Sequence, residues 1–284
     1  MVRLFGALVG LGFILVLIIS MITGISGFLN EPPAESVEHK FHKHPKELHL
    51  ASDGPLGHFD RRQLQRGFQV YKEVCAACHS LNLVAFRNLE ELGYSEAEVK
   101  AIASQWQIEV PDVDAKTGEA AGRKALAADR FPSPYPNEVA ARAANNNALP
   151  PDLSLIAKAR HGGSSYIASL LTGYRDPATY KNKEGKALPA ENRPGQGLHF
   201  NPYFPNLNIA MPPPLVADGQ VSYADGTKAT VDQMAQDVSA FLVWTAEPKL
   251  ENRHRTGVAV LLFLLIATGL AYFSYRNIWA DKKH

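Results

Sequence analysis

Cys75-Ala76-Ala77-Cys78-His79, inside the longer stretch RGFQVYKEVCAACHSLN that begins at Arg66, contains both cysteines of the 284-residue chain. With no further cysteine to pair, a disulfide framework is excluded. C-x-x-C-H is the attachment sequence for c-type haem. Two thiols three residues apart on a helical turn can each add to one vinyl group of a porphyrin edge, and the next residue then brings an imidazole to the iron. A redox dithiol would not need the histidine. A zinc site would need further ligands at set spacing, and no other cysteine exists to supply them. The motif therefore predicts one covalent haem c on Cys75 and Cys78, with His79 as an axial ligand.

Working outward, residues 60–74 have a helical pattern. Asp60 can cap the N-terminus, and Leu64, Phe68 and Tyr71 recur at helical spacing. This helix runs into Cys75. A second helix is predicted over 95–106, where Ser95 and Glu98 can form a capping box. Residues 145–155 read as a turn followed by a short helix. Residues 166–174 read as a helix ended by Gly173 and Pro177. Residues 192–214, dominated by Pro, Gly and Asn, read as loop. An amphipathic helix is predicted over 230–244, with Met234, Val238, Phe241 and Leu242 inward. Alternating β patterns are scarce, so the fold class is mainly α with long loops.

Two segments are too apolar for a soluble domain. Residues 4–29 carry no charge and follow Arg3; residues 256–275, between Arg255 and Arg276, are also uncharged. A helix of about 20 mostly apolar residues spans a bilayer. Residues 258–265 are apolar on every face, which favours lipid over a protein core. The N-terminal segment fits either a cleaved export signal or a retained anchor. The expected layout is a signal or anchor at 1–30, a haem domain at 31–250, a transmembrane helix at 256–275 and a tail at 276–284. Arg3, Arg276, Lys282 and Lys283 favour both termini inside, against Arg253 and Arg255 on the other side. Covalent haem of this type is assembled outside the cytoplasm. That sets the haem domain on the periplasmic side of a bacterial inner membrane and the C-terminus in the cytoplasm.

The formal net charge is +1 and offers no electrostatic case for nucleic acid. Residues 31–57 form a polar linker in which His39, His42, His44 and His49 cluster. A metal site there is conceivable, but no cysteine or carboxylate spacing supports a cage.

The second axial ligand decides the chemistry, because His/Met ligation raises the potential of an electron-carrying haem. Of the four methionines, Met1 and Met21 lie in the N-terminal segment and Met234 faces inward on a predicted helix. Met211 stands in Ile209-Ala210-Met211-Pro212-Pro213-Pro214, where fixed prolines make a stiff loop that loses little entropy on presenting a thioether. Met211 is the favoured ligand on this context; His161 and His199 are its rivals.

These residues sit within a longer resemblance. RGFQVYKEVCAACHSLNLVAFRNL from Arg66, YPNEVAARAANNNALPPDLSLI from Tyr135, ARHGGSSYIASLLTGY from Ala159, NPYFPNLNIAMPPPL from Asn201 and DVSAFLVWTAEP from Asp237 occur in order before a single apolar segment. The chain thereby resembles the cytochrome c1 family, the haem subunits of the cytochrome bc1 complex (quinol:cytochrome c reductase). The resemblance implies thioethers at Cys75 and Cys78, axial ligation by His79 and Met211, and haem propionates held by Arg160 and Tyr166. It implies a cytochrome b subunit and a Rieske iron–sulfur subunit as partners, a c-type cytochrome as acceptor, and a dimeric complex. It also implies a redox subunit that makes and breaks no substrate bonds itself. Where the family usually reads ANNG, this chain has Ala144-Asn145-Asn146-Asn147. Asparagine tolerates a left-handed backbone, so the turn is expected to survive. The acidic stretch of Glu90, Glu91, Glu96, Glu98, Glu109, Asp112, Asp114 and Glu119 reads either as a steering surface for a basic cytochrome or as a solvated insertion.

Overall fold

A computed structural model describes residues 2–30 and 35–282. Met1, the start of the linker at 31–34, and Lys283 with the end of the tail lie outside the described residues. The chain divides into two units, Met1–Phe41 and His42–His284. The first holds α1 (Val2–Asn30) and α2 (Val37–Phe41). The most apolar 18-residue stretch of α1 has a mean hydropathy of 2.7, and the helix buries nothing, as expected of a helix built for lipid.

In the second unit, α3 (Arg61–Val70) starts where the sequence says it should: the Asp60 carboxylate accepts from the backbone N–H groups of Arg62 and Gln63. α3 lies against α8 (Val231–Ala246), capped by Thr230, whose hydroxyl accepts from Gln233 N. Gly67 permits the approach, since a Cβ there would stand 2.0 Å from the Asp237 carbonyl oxygen and 2.7 Å from Phe241 Cβ. Met234, Val238, Phe241 and Leu242 are all buried, and Met234 is 0% exposed, a packing residue. α8 is buried well beyond one stripe. Even Asp237 is inside, paired with Arg66 at 2.9 Å and accepting from Gln233 at 2.9 Å. A carboxylate so placed is tolerable only because its lone pairs are met.

The core grows around aromatic rings. Phe86 and Phe131 lie 4.2 Å apart, Trp106 packs edge-on to Phe131 at 5.0 Å, and Phe241 reaches both Phe68 and Tyr71 at 5.7 Å. Such tilted and T-shaped pairs suit the ring quadrupoles. α4 (Glu96–Ser104) has the predicted capping box: Ser95 Oγ accepts from Glu98 N and the Glu98 carboxylate from Ser95 N.

The sheet content is slight. β1 (Val110–Val113) pairs antiparallel with β2 (Ala120–Arg123), and β3 (His199–Phe200) with β4 (Asn208–Ile209). The fold is mainly α, as read from the sequence. Two details differ. A helix, α5 (Glu138–Ala144), precedes the Asn turn and was not foreseen, and the short helix after the turn, α6 (Ile156–Ala159), begins just past residue 155. α5 is short and mostly exposed, with Ala141 its one buried residue, so it leaves little apolar periodicity to read. α7 (Gly163–Leu171) begins three residues before Tyr166.

α9 (Leu250–Trp279) contains the uncharged segment, and its most apolar 18-residue stretch has a mean hydropathy of 2.2. Its first turn is fastened to the rest of the unit. Glu251 accepts from Phe59 N at 2.7 Å and pairs with Arg61 at 2.8 Å, and Lys249 just before it pairs with Glu91 at 2.9 Å.

Candidate haem-binding site

α3 does not stop at Val70 but opens into a π-helical turn, Tyr71–Cys75, closed by Ala76 N donating to Tyr71 O at 2.8 Å. π-turns place an extra residue in a helix and recur at functional sites. Here the turn ends on Cys75. The Cys75 carbonyl then accepts from Cys78 N at 3.1 Å and His79 N at 2.9 Å, so one tight turn carries both thiols and the imidazole. The two cysteines are not bonded to each other. Burial, with Cys78 nearby, pushes the Cys75 thiol up to about 12 and keeps it protonated.

His79 is held at both ends. Its carbonyl accepts from the Tyr71 hydroxyl at 3.2 Å, and its Nδ1 lies 2.8 Å from the Pro151 carbonyl oxygen. A carbonyl can only accept, so Nδ1 carries the proton and Nε2 the lone pair. Burial holds the ring below its usual pKa, against the opposing pull of the Pro151 bond and the Asp152 charge. A neutral imidazole with Nδ1–H tied to a carbonyl is the form that ligates a metal. Beside this turn lies a cavity of about 320 Å³, lined among others by Cys78, Tyr135, Ala141, Leu149, Pro150 and Pro151. Two free thiols, an oriented Nε2 and a partly apolar cleft against Cys78 form a donor set that fits a c-type haem.

Tyr135 closes part of that cleft. Its hydroxyl accepts from Asn145 Nδ2 at 2.9 Å and lies beside Cys78. The following turn puts Asn146 at φ 51° and Asn147 at φ 62°. Asn147 thus adopts the left-handed backbone expected where the family reads glycine.

A second group gathers around Tyr174. Its hydroxyl donates to the Met211 carbonyl at 3.0 Å; its phenol feels the charge of Tyr166, and that of Tyr166 the charge of Arg160. Burial raises the phenols of both Tyr174 and Tyr166. Arg160 is exposed at the C-terminus of α6, and its guanidinium has no hydrogen-bond or ion-pair partner among the described residues. Such a cation beside a half-buried phenol suits a carboxylate ligand. His161 is exposed, while His199 lies in β3 opposite Ile209 and lines a second cavity of about 350 Å³ with Tyr174 and Pro213.

The structure thus brings Cys75, Cys78 and His79 together on one turn and ties Met211 to Tyr174, while Arg160 and Tyr166 are linked to Tyr174 by electrostatic influence alone. No hydrogen bond joins the two groups among the described residues. Pro151, Tyr135 and Tyr174 bond to or lie beside these residues but were not singled out from the sequence. The first acts through its backbone, and the tyrosines carry no signal apart from the stretches that hold them.

Residues 50–282 match the Cytochrome C1 family. The protein named cytochrome b/c1 of Bradyrhizobium diazoefficiens is 47% identical over 249 residues, 80% of this chain, which spans only 34% of that relative. Cytochrome c1-2, heme protein, mitochondrial, of Solanum tuberosum is 44% identical over 262 residues, covering 92% of this chain and 95% of its own. The cytochrome b-c1 complex catalytic subunit, mitochondrial, of Candida albicans is 45% identical over 241 residues, covering 85% and 79%. With the match running from Leu50 through the C-terminal apolar helix, this chain belongs to the cytochrome c1 family.

Proposed function

We propose that this chain is the electron-transfer subunit of a cytochrome bc1 complex, with one haem c joined to Cys75 and Cys78 and axially ligated by His79 and Met211. The observation that carries this is the 2.8 Å bond from His79 Nδ1 to the Pro151 carbonyl, which leaves Nε2 available. When bound, the haem supplies a one-electron redox centre. The rest is the work of side chains. His79 gives a neutral nitrogen ligand and Met211 a thioether, a pair that favours a high potential. Arg160 and Tyr166 take the propionates. Tyr135, Pro150 and Pro151 line the cleft on the cysteine side.

The electron donor in this reading is a Rieske iron–sulfur subunit and the acceptor a c-type cytochrome. The chain is a non-autonomous part of a quinol:cytochrome c oxidoreductase with no bond chemistry of its own. A cytochrome b subunit packs beside the transmembrane helix at 256–275, and the complex is dimeric by family likeness. The haem domain, 31–250, lies on the periplasmic side of a bacterial inner membrane and the tail at 276–284 in the cytoplasm. Residues 1–30 direct export as signal or anchor. The two apolar helices and the bacterial relative fit such anchoring.

The test is to purify the full chain from membranes and denature it. Haem that stays with the polypeptide, and is lost from Cys75→Ala/Cys78→Ala, supports the attachment. Copurification with a b-type cytochrome supports the complex. Haem extracted by acidified solvent, or a chain isolated without any b-type cytochrome, overturns the corresponding half of the reading.

A further inference from the structure

Asp152 follows the proline whose carbonyl meets His79, and no step above uses it. Its carboxylate is a junction. Oδ2 accepts from Ser80 Oγ at 2.9 Å and from Asn82 N at 2.8 Å, and Oδ1 accepts from Ser154 N at 2.9 Å. Two further bonds run alongside: Leu153 N donates to Ser80 O at 2.9 Å, and Leu83 N to the fully buried Ser154 Oγ at 3.0 Å. Residues 80–83, which follow the histidine, are thereby stitched to residues 151–154. The stitch lies directly beside the Pro151 carbonyl that stands 2.8 Å from Nδ1.

The carboxylate has three donors but, among the described residues, no cationic partner. Arg130 approaches no nearer than the Asn82 carbonyl, to which it donates at 3.1 Å, and the carboxylate acts on the His79 ring. An amide could not take its place. Asn82 N and Ser154 N are obligate donors facing opposite oxygens, so either orientation of an asparagine sets NH₂ against N–H.

We propose that Asp152 is the positioning residue for the His79 ligand, holding the Pro151 carbonyl on Nδ1 and standing as a fixed negative charge beside the ring that lowers the potential of the bound iron. This rests on the reading of His79 as an iron ligand. Second-shell groups of this kind orient a ligand and raise its basicity, and the potential responds to them.

The experiment uses the full chain in its membrane complex, as wild type, Asp152→Asn and Ser154→Ala. Two quantities are read: haem retained after denaturation, and midpoint potential by equilibrium titration. Asp152→Asn is expected to keep its covalent haem and to show a raised potential, because a charge that favours oxidised iron is gone and the Nδ1 bond is slackened. Ser154→Ala, which loses one stitch and keeps the carboxylate, is expected to shift less. A fall in potential for Asp152→Asn, as from a site opened to water, or equal shifts in both variants, would mean that Asp152 only braces the fold. Should Asp152→Asn fail to accumulate, Ser80→Ala decides. Removing this donor leaves the carboxylate less compensated, an effect opposite in sign to the loss of one stitch, so a lowered potential supports the proposal and an unchanged or raised one overturns it. A wild-type chain without covalent haem would instead sink the underlying reading, and the proposal with it.

Discussion

Around His79 the backbone is stitched to residues 151–154 by side-chain and main-chain hydrogen bonds, whereas around Met211 it is held by prolines and one phenol. On the histidine side, a helix, a π-turn and the Asp152 junction all converge on one ring. On the methionine side, the Tyr174 hydroxyl to the Met211 carbonyl is the single hydrogen bond that Met211 makes among the described residues. The difference teaches that the two proposed ligands are secured by different free-energy terms. His79 is held by many bonds and, in the proposed state, by two thioethers next to it. Met211 depends on a loop whose stiffness comes from Pro212, Pro213 and Pro214, residues that lose little entropy on ordering. The methionine side should therefore let go first under any stress.

The sharpest break of this asymmetry is Met211→Leu. Covalent haem should remain, while the Met–iron charge-transfer band disappears and the potential falls on the order of hundreds of millivolts, within the ~0.8 V that axial ligands span. Optical spectra and a redox titration check it. An unchanged spectrum would hand the sixth position to His199, His161 or nothing.

Next in size is Gly67→Ala, which strikes beneath the histidine side. Its Cβ would enter the space of the Asp237 carbonyl and Phe241 and push α3 off α8. Overpacking of this kind should cost about 3 kcal/mol, or roughly 10 °C in melting temperature. Thermal melts followed by circular dichroism give the number. If the loss is negligible, α3 is not the firm mount for Cys75 that the packing implies.

Tyr174→Phe should cost about 1 kcal/mol, the net worth of one hydrogen bond. The effect is expected on the methionine side alone: the Met–iron band should melt at a lower temperature while global unfolding hardly moves. Equal shifts in both would mean that Tyr174 supports the fold in general and not the Met211 loop.

The smallest expected effect is an acid one. The Thr227 backbone N–H, followed by the Arg66 guanidinium, lowers Asp225 from 3.8 to about 2. A carboxylate lowered on folding contributes its stability above its unfolded pKa and loses it as pH falls through the folded one. The Asp225–Arg66 contact should therefore be intact above about pH 4 and weaken toward pH 2. Asp225→Asn should flatten that part of an acid unfolding curve, by an amount reduced because the pair is partly exposed.

Much of the helical frame was legible locally. Asp60, Thr230 and the Ser95–Glu98 box mark helix starts because a side-chain oxygen meeting a free backbone N–H is a short-range event. The inward residues of α8 were legible because burial repeats with the helical period. The β1–β2 hairpin was not, since it is mostly exposed and has no alternation to detect. Asp237 was not either, because what makes a buried carboxylate acceptable is Arg66, 171 positions earlier.

At the candidate site, the sequence by itself determined the C-x-x-C-H turn: two thiols and an imidazole within five residues, with no other cysteine in the chain. It also determined the apolar segments long enough to cross a bilayer, because both depend only on residue type and spacing along the chain. Tertiary structure alone decided which nitrogen of His79 is free, how Asp152 ties 80–83 to 151–154, and that Tyr174 holds the Met211 carbonyl. Those are hydrogen bonds between residues far apart in the chain, some through backbone carbonyls that every residue type carries. No local pattern can encode them, and only packing brings them within reach.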